Sequence, residues 1–261
     1  MTTLLPTDER PSIPSTEVAS ARTTNLQLSE DHHLCPGCGH PIAWRLLMEV
    51  ISELGLEQRA VGVVGHGCYT NIVQLADLDF LQCLHGRAPA VATGVKRVHP
   101  DAAVFTLQGD GDMSSEGLQE VLHAAARGER ITCIMLNNGV FGDTGGQMTA
   151  STAVGQRTKT SLEGRNPELH GHPVPVARLL KELDGTAYVA RGAVNDASAI
   201  WKTKGYLRRA FELQSSGAGF TFVEILTMCP TGWFVATPEG PQYMIETFEQ
   251  TFPPGEVHNP G

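Results

Sequence analysis

Short apolar runs alternate along the chain with segments in which apolar residues recur at helical spacing. The apolar runs are rich in β-branched residues, as expected for buried strands, and cover residues 60–64, 103–107, 131–136 and 220–226. Helical spacing is clearest in residues 40–54 and 196–214. Strands that alternate with helices favour parallel pairing through crossover connections. The pattern predicts an α/β fold with a doubly wound, mostly parallel sheet.

The two ends of the chain lack this alternation. Residues 1–28 are rich in Pro, Thr, Ser and Glu without apolar periodicity, which predicts an extended or disordered arm. Residues 29–261 are predicted to form a single α/β domain. Its last part, from Thr231 onward, is rich in Pro and Gly and is expected to pack as a loop.

Composition narrows the class of protein. Hydrophobic residues make up 41% of the 261 residues, enough for a sizeable core. The 19 basic and 28 acidic residues give a net charge of −9, which argues against nucleic acid as a partner. Neither a signal-peptide pattern nor an apolar stretch of membrane-spanning length is visible, so we expect a cytoplasmic protein that does not enter a membrane.

Polar strings follow two of the predicted strands. Gly109-Asp110-Gly111-Asp112 ends the first, and Asn137-Asn138-Gly139-Val140 ends the next. Ser114 or Ser115 is the predicted cap of a helix that runs from Glu116 between them. Since the carboxyl ends of parallel strands meet at one edge of a sheet, we expect the two strings to be neighbours there.

These residue types suit a metal ion and a diphosphate. Mg²⁺ prefers oxygen ligands, which the Asp110 carboxylate, the Asn138 amide and a carbonyl near Val140 can supply. Gly109 and Gly111 would let backbone N–H groups approach a phosphate at the start of a helix. Either string alone is typical of an ordinary turn. Together, each after a buried strand, they favour a cofactor cradle.

The two strings resemble a known fingerprint. Gly-Asp-Gly followed just under thirty residues later by Asn-Asn is similar to the thiamine diphosphate motif, and the string from Asn137 to Gln147 resembles the β subunit of 2-oxoacid:ferredoxin oxidoreductases. The resemblance covers roughly Leu34 to Trp233. It implies that Asp110, Asn138 and the carbonyl of Val140 bind Mg²⁺. It also implies a set of cofactor-binding residues: Gly109, Asp110, Gly111, Asp112, Asn138, Val140, Gly142, Thr144, His85 and Arg87.

Four of the six cysteines lie in turn or strand-end sequence. Cys35 and Cys38 form a C-x-x-C pair, and Cys68 and Cys229 each follow a predicted strand. Their spacing leaves a zinc site, a thiol redox pair and a [4Fe–4S] cluster open. The family resemblance implies that these four cysteines hold one [4Fe–4S] cluster. The other two, Cys83 and Cys133, look like small core residues.

Further polar residues flank these motifs. His85 and Arg87 match a family segment that faces the cofactor, where the Arg87 guanidinium could bind a phosphate or a substrate carboxylate. An arginine that merely bridges two loops is an equally good interpretation. His66 neighbours a cluster cysteine and could contact substrate, or it could be an ordinary loop histidine.

The segment after Asn138 is expected to choose the substrate. Relatives that act on 2-oxoglutarate tend to carry a lysine where this chain has Gly145, and the Thr-Gly-Gly-Gln string is more similar to branched-chain (2-ketoisovalerate) members. Asp143 departs from the family, whose members usually carry a neutral residue there. Its carboxylate would repel a second acid group or bond a polar or aryl substituent. We predict Asp143, Thr144 and His66 as the catalytic residues.

The resemblance implies oxidative decarboxylation of a 2-oxoacid with coenzyme A to acyl-CoA and CO₂, with electrons passing through the cluster to ferredoxin or another acceptor. In the family the glutamate that activates the aminopyrimidine ring belongs to another domain, which implies a pyrimidine-binding α subunit. A γ-type region or subunit is also implied, and a ferredoxin-like δ subunit is compatible with the resemblance. The expected assembly is a dimer of hetero-oligomers.

Three alternatives stay open at this point. The substrate could be an aryl 2-oxoacid of the phenylglyoxylate kind. The chain could instead be a thiamine diphosphate-dependent decarboxylase or lyase without electron transfer, which would have no use for four convergent cysteines. It could also be a non-catalytic scaffold that binds zinc.

Overall fold

The computed structural model describes Leu26 and residues 31–259. The predicted arm, residues 1–28, therefore lies almost entirely outside the described residues. Leu26, within that segment, is buried against the core, and its carbonyl accepts a hydrogen bond from the Asp77 N–H at 2.8 Å. At that position the chain packs on its own domain.

Within residues 31–259, seven strands form a central sheet and two more form a separate antiparallel hairpin. In chain order they are β1 (Ala60–Val64), β2 (Asp79–Gln82), β3 (Ala103–Gly109), β4 (Thr132–Asn137), β5 (Val140–Phe141), β6 (Gln147–Met148), β7 (Thr186–Ala193), β8 (Phe220–Leu226) and β9 (Gly255–His258). The sheet order is β2-β1-β3-β4-β8-β7-β9, and β5 pairs with β6. Neighbouring strands of the sheet are parallel except at β9, which runs antiparallel to β7.

Helices cover both faces of this sheet. They are α1 (His40–Glu53), α2 (Ala88–Val98), α3 (Leu118–Ala126), α4 (Pro167–His170), α5 (Val176–Leu180), α6 (Ala197–Ser216), α7 (Pro230–Trp233) and α8 (Gly240–Met244). Helices α1 and α6 pack on one face, and α2, α3 and α5 pack on the other. No helix among the described residues has the length and apolar character needed to cross a lipid bilayer.

The central strand β3 illustrates how one apolar run serves two cores. Phe105 and Leu107 join the core on the α1 and α6 face, while Val104 joins the core on the opposite face. Side chains alternate between the two faces of a strand, so a strand covered by helices on both sides must be apolar throughout. The predicted doubly wound α/β fold is confirmed, as are the four strands and two long helices read from the apolar pattern.

The start of the helix after β3 was predicted wrongly. Gly111–Ser115 forms a π-helical turn, and α3 begins only at Leu118. Ser114 donates its hydroxyl to the Asp110 carbonyl at 2.6 Å, and Ser115 accepts from the Ala150 N–H at 2.9 Å. The serine side chains are thus used to join loops, and neither caps the helix.

The carboxyl-terminal segment is also more ordered than the predicted loop. From Thr231 onward it contains part of α7, all of α8 and the edge strand β9. A composition rich in Pro and Gly does not prevent short helices and strands when each packs against the rest of the domain. Here β9 is held because it adds to the exposed edge of β7.

A buried ion pair links the strands at this side of the sheet. Arg191 on β7 donates from Nε to Glu224 on β8 at 2.7 Å, and the two side chains are only 6% and 1% exposed. The second Glu224 oxygen accepts from Asn137 Nδ2 at 2.7 Å, and Arg191 also donates to the Pro253 carbonyl at 3.1 Å. One charged pair therefore joins β7, β8, the end of β4 and the carboxyl-terminal segment.

We expect Arg191→Met to lower the free energy of unfolding by about 3–5 kcal/mol, because it leaves the Glu224 charge buried without its partner. Urea denaturation of the metal-free chain measures this loss. The matched control is Lys181→Met, which breaks the exposed pair with Glu182 and should cost at most about 1 kcal/mol. The double variant Arg191→Met/Glu224→Gln should be more stable than Arg191→Met alone. Equal losses in Arg191→Met and the control would contradict the assigned role of the pair.

Candidate active site

Two adjoining cavities open at the carboxyl edge of the sheet. The first, which we call the Asp110 cavity, has a volume of about 170 Å³ and lies at the ends of β1, β3 and β4. The second, the cysteine cavity, has a volume of about 240 Å³ and is lined by Cys35, Cys38, Cys68 and Cys229. The walls share five residues: His40, Cys68, Asn138, Gly142 and Asp143. Groups bound in the two cavities would therefore be close neighbours.

Asp110 follows β3 directly and is 1% exposed. One carboxylate oxygen accepts from the Thr149 hydroxyl at 2.5 Å, and the other accepts from the Asn138 N–H at 3.3 Å. Burial raises the pKa of Asp110 to about 7, and none of the ion pairs found among the described residues involves it. A bound cation would stabilise the charged carboxylate.

Asn138 is held in one orientation from both ends of its amide. Its Oδ1 accepts from the Val140 N–H at 3.0 Å, and its Nδ2 lies 3.4 Å from His40 Nε2. Its backbone carbonyl accepts from Trp233 Nε1 at 2.7 Å. Gly139 makes the turn possible, because its φ of +68° is a conformation that side chains with a Cβ rarely adopt. The structure thus brings Asp110, Asn138 and Val140 together, as the two strings suggested.

Asp112 has a different environment from Asp110. Its carboxylate accepts from the Tyr69 hydroxyl at 2.8 Å, from Gln108 Nε2 at 3.0 Å and from the Gly86 N–H at 2.6 Å. Its side chain lines the Asp110 cavity, but its oxygen atoms are already used by protein donors. Its clearest contribution is to tie the loops after β1, β2 and β3 together.

His85 and His66 line the Asp110 cavity, with their ring centroids 5.3 Å apart. His85 Nδ1 lies between Asp112 at 3.2 Å and Glu116 at 3.1 Å. His66 is within 3.3 Å of Gln82 Nε2. These contacts orient both imidazoles at the mouth of the cavity.

Arg87 is placed differently from the predicted phosphate contact. It forms an ion pair with Glu120 on α3 and is not among the residues that line either cavity. The position follows from α2 and α3 packing side by side on the same face of the sheet. It matches the alternative in which the arginine bridges two elements.

The β5–β6 hairpin places the predicted substrate segment between the cavities. Asp143 lines both of them, and its Oδ1 lies 3.8 Å from Cys68 Sγ. Thr144 lines the Asp110 cavity and donates its hydroxyl to Gln147 Oε1 at 2.9 Å. A Cβ on Gly145 would lie 3.5 Å from Lys159 Nζ. A lysine head group therefore reaches this place from a different part of the chain.

The four predicted cluster cysteines converge in space. Cys35 and Cys38 lie in the turn before α1, where the Cys38 N–H donates to the Cys35 carbonyl at 3.1 Å. A Cβ on Gly142 would lie 3.6 Å from both Cys68 Sγ and Cys229 Sγ. Burial, together with charge on neighbouring groups, raises the pKa of Cys38 and Cys68 to about 12 and of Cys229 to about 11. A bound metal centre would favour the deprotonated form of such thiols.

The remaining two cysteines lie elsewhere. Cys133 is fully buried within β4, and Cys83 is partly buried with its thiol 3.4 Å from the Val64 carbonyl. Both positions agree with the prediction of small core residues.

The sequence did not single out three residues that the structure places in the site. His40 lies in the shared wall, and its position directly after the C-x-x-C turn was an available signal. Thr149 binds the Asp110 carboxylate, and Lys159 reaches Gly145. Neither Thr149 nor Lys159 carries a local signal, because each arrives through a long, irregular connection.

Several known proteins are similar to this chain in sequence. Residues 65–225 match the family model for the C-terminal thiamine pyrophosphate-binding domain of thiamine pyrophosphate enzymes. Over 221 residues the chain is 40% identical to ketoisovalerate oxidoreductase subunit VorA of Methanothermobacter thermautotrophicus, covering 85% of this chain and 46% of that protein. Over 216 residues it is 32% identical to 2-oxoglutarate synthase subunit KorB of Archaeoglobus fulgidus, covering 83% and 76%. The chain thus spans about half the length of the first relative.

A solved structure is similar as well. It is the 2-oxoglutarate:ferredoxin oxidoreductase from Magnetococcus marinus with 2-oxoglutarate, coenzyme A and succinyl-CoA bound, at 27% identity and a TM-score of 0.68. The match covers 83% of this chain and 70% of that one. The chain therefore belongs to the family of 2-oxoacid:ferredoxin oxidoreductase subunits that contain the thiamine pyrophosphate-binding domain.

Proposed function

We propose that this chain holds the diphosphate end of thiamine diphosphate, with Mg²⁺, and one [4Fe–4S] cluster in a 2-oxoacid:ferredoxin oxidoreductase. The observation that carries the proposal is the shared wall of the Asp110 cavity and the cysteine cavity. A decarboxylase or lyase without electron transfer would need the first cavity and would have no use for the second.

Asp110, Asn138 and the carbonyl of Val140 would bind Mg²⁺. These three ligands suit Mg²⁺, since they offer a buried carboxylate without a cationic partner, an oriented amide and a backbone oxygen. The cavity of about 170 Å³ is smaller than the roughly 300–1,000 Å³ typical of pockets that enclose a whole small ligand. It suits one end of the cofactor, and the other end would lie against a partner.

When bound, thiamine diphosphate supplies a thiazolium carbanion that adds to the 2-oxo carbon and stabilises the negative charge left as CO₂ departs. This chain contributes positioning. Asp110 and Asn138 would orient the diphosphate through the metal, and Gly109, Gly111 and Gly142 line the cavity wall. His66 and His85 line the same cavity, where each imidazole can form a hydrogen bond with a bound group.

An iron–sulfur cluster fits the cysteine cavity better than zinc. Among the described residues no three of the four sulfur atoms lie within 4.8 Å of one another. A zinc ion with Zn–S bonds of about 2.3 Å would hold its sulfur ligands within about 4 Å. The wider arrangement suits a centre that carries several iron atoms and accepts one electron at a time.

Asp143 and Thr144 would contact the substrate, and Asp143 is the residue that discriminates between different 2-oxoacids. The Asp143 carboxylate lines the Asp110 cavity, whereas Lys159 approaches Gly145, which lines the cysteine cavity, so the charge at the Asp110 cavity disfavours a 2-oxoacid with a second acid group. A branched-chain 2-oxoacid is therefore the proposed substrate, and the relative at 40% identity bears the name ketoisovalerate oxidoreductase. An aryl 2-oxoacid is the second candidate, since Asp143 can accept a hydrogen bond from a polar ring substituent.

The proposed partners follow from the part of the cofactor and the cluster that this chain would bind. A pyrimidine-binding α subunit would cover the open end of the Asp110 cavity, together with a γ-type region or subunit and, in a larger assembly, a ferredoxin-like δ subunit. Coenzyme A would take the acyl group, and ferredoxin or another acceptor would take the electrons. We propose a dimer of hetero-oligomers as the assembly.

The purified complex should contain iron and acid-labile sulfide, with about four of each assigned to this chain. Cys68→Ser should remove this share and the visible absorption that accompanies it, because one ligand of the cluster is lost. Cys83→Ser is the matched control and should keep both. One zinc ion per chain without sulfide would instead support the zinc scaffold.

Asp110→Asn should abolish Mg²⁺-dependent binding of thiamine diphosphate and leave the iron content unchanged. We expect a loss beyond the roughly 10–100-fold typical of changes to outer-shell partners, since a direct metal ligand is removed. Isothermal titration of the complex with thiamine diphosphate and Mg²⁺ measures it, with Asp184→Asn as the exposed control. If Asp110→Asn loses iron and keeps the cofactor, the two sites have been assigned the wrong way round.

Asp143→Asn should raise kcat/KM for 2-oxoglutarate about tenfold, which corresponds to about 1.4 kcal/mol of removed charge repulsion. The value for 2-ketoisovalerate should barely change. The measurement is a panel of 2-oxoacids with coenzyme A and a dye acceptor, again with Asp184→Asn as control. The substrate proposal fails if the unmodified complex turns over dicarboxylic or aryl acids and leaves branched-chain acids untouched.

A further inference from the structure

His40 occupies the wall between the two cavities. It is the first residue of α1, lies two residues after Cys38 and is 4% exposed. It lines both the Asp110 cavity and the cysteine cavity. Its ring can therefore contact groups bound on either side.

One ring nitrogen of His40 is committed to Asn138. Since Asn138 Oδ1 accepts from the Val140 N–H, the amide presents its NH₂ group to His40, with Nδ2 and Nε2 3.4 Å apart. Nε2 must then accept this hydrogen bond. A neutral imidazole that accepts at Nε2 carries its proton on Nδ1.

The other ring nitrogen has a proton to donate and no acceptor. Nδ1 is fully buried, and no hydrogen-bond partner for it is found among the described residues. A buried donor left unpaired costs about 1–3 kcal/mol, so an acceptor from outside the protein is expected.

The position of Nδ1 favours a sulfur atom as that acceptor. Nδ1 is the ring nitrogen nearer the backbone, and the backbone of His40 follows Cys38, a residue of the cysteine cavity, by only two positions. The side chain leaves the backbone beside the cysteine cavity, where cysteine sulfurs and cluster sulfides can accept hydrogen bonds. Nε2, farther out on the ring, reaches the metal ligand Asn138.

We propose that His40 is a hydrogen-bonding bridge between the two cofactors: Nδ1–H donates to a sulfur of the iron–sulfur centre, and Nε2 orients the Asn138 amide. This inference rests on the proposed function, because it requires the cluster to be present. His40 acts as a positioning residue toward Mg²⁺. Toward the cluster it is a direct donor, and hydrogen bonds to sulfur are one of the factors that set a cluster's reduction potential.

Two substitutions separate the two contacts. The amide nitrogen of asparagine lies as far from Cβ as Nδ1 does, and the amide end of glutamine lies as far as Nε2. His40→Asn should therefore keep the reduction potential near that of the unmodified protein and weaken Mg²⁺ affinity about 10–100-fold. His40→Gln should lower the potential and keep the Mg²⁺ affinity.

Both readouts use the purified holoenzyme. The potential comes from a redox titration followed by electron paramagnetic resonance, on the signal that Cys68→Ser abolishes. The affinity comes from the Mg²⁺ dependence of thiamine diphosphate binding. His123→Asn and His123→Gln, on the exposed side of α3, are the controls and should change neither quantity.

Several outcomes would overturn the inference while the proposed function stands. An unchanged potential in His40→Gln would show that no sulfur accepts from Nδ1. If His40→Gln loses affinity for thiamine diphosphate while the reduction potential of the cluster stays constant, Nδ1–H donates to the diphosphate and not to a sulfur. Parallel shifts of both quantities in both variants would mean that His40 only supports the fold. Absence of iron and sulfide in the unmodified protein would overturn the proposed function and this inference together.

Discussion

The contact between the Asp110 carboxylate and the Asn138 backbone N–H is the constraint on which the site depends. It joins the loops that leave β3 and β4, which are neighbours in the sheet and point their carboxyl ends the same way. Parallel pairing alone brings these loops to one edge, but only a specific contact fixes the Asp110 carboxylate against the loop that carries Asn138. The buried ion pair of Arg191 and Glu224 stabilises the end of β4 next to this contact, because Glu224 accepts a hydrogen bond from Asn137, the residue before Asn138.

Burial disfavours charge on the groups that would bind metal under the proposed function. The pKa values of Asp110, Cys38 and Cys68 are all raised because desolvation disfavours their charged forms. A cation reverses that preference, so binding and deprotonation are coupled. The proposed metal centres would bind these groups in their charged forms.

The shared wall makes the two cavities direct neighbours. Gly142 lies close to the sulfurs of Cys68 and Cys229, and the adjacent Asp143 lines both cavities. A short hairpin thus separates the group that would bind substrate from the group that would carry electrons. His40 is also part of this wall, and the proposed cluster would supply an acceptor for its unpaired Nδ1.

Local sequence determined the strands, the long helices and the two ligand strings, since apolar periodicity and glycine-rich turns act over a few residues. It also determined which cysteines follow strands. Only the tertiary structure decided that Arg87 pairs with Glu120, that Thr149 binds Asp110 and that Lys159 lies beside Gly145. It likewise decided that the segment after Thr231 is ordered by adding to β7. Each of these contacts joins residues far apart in the chain, and their meeting depends on how the helices and the irregular connection pack, which no local pattern encodes.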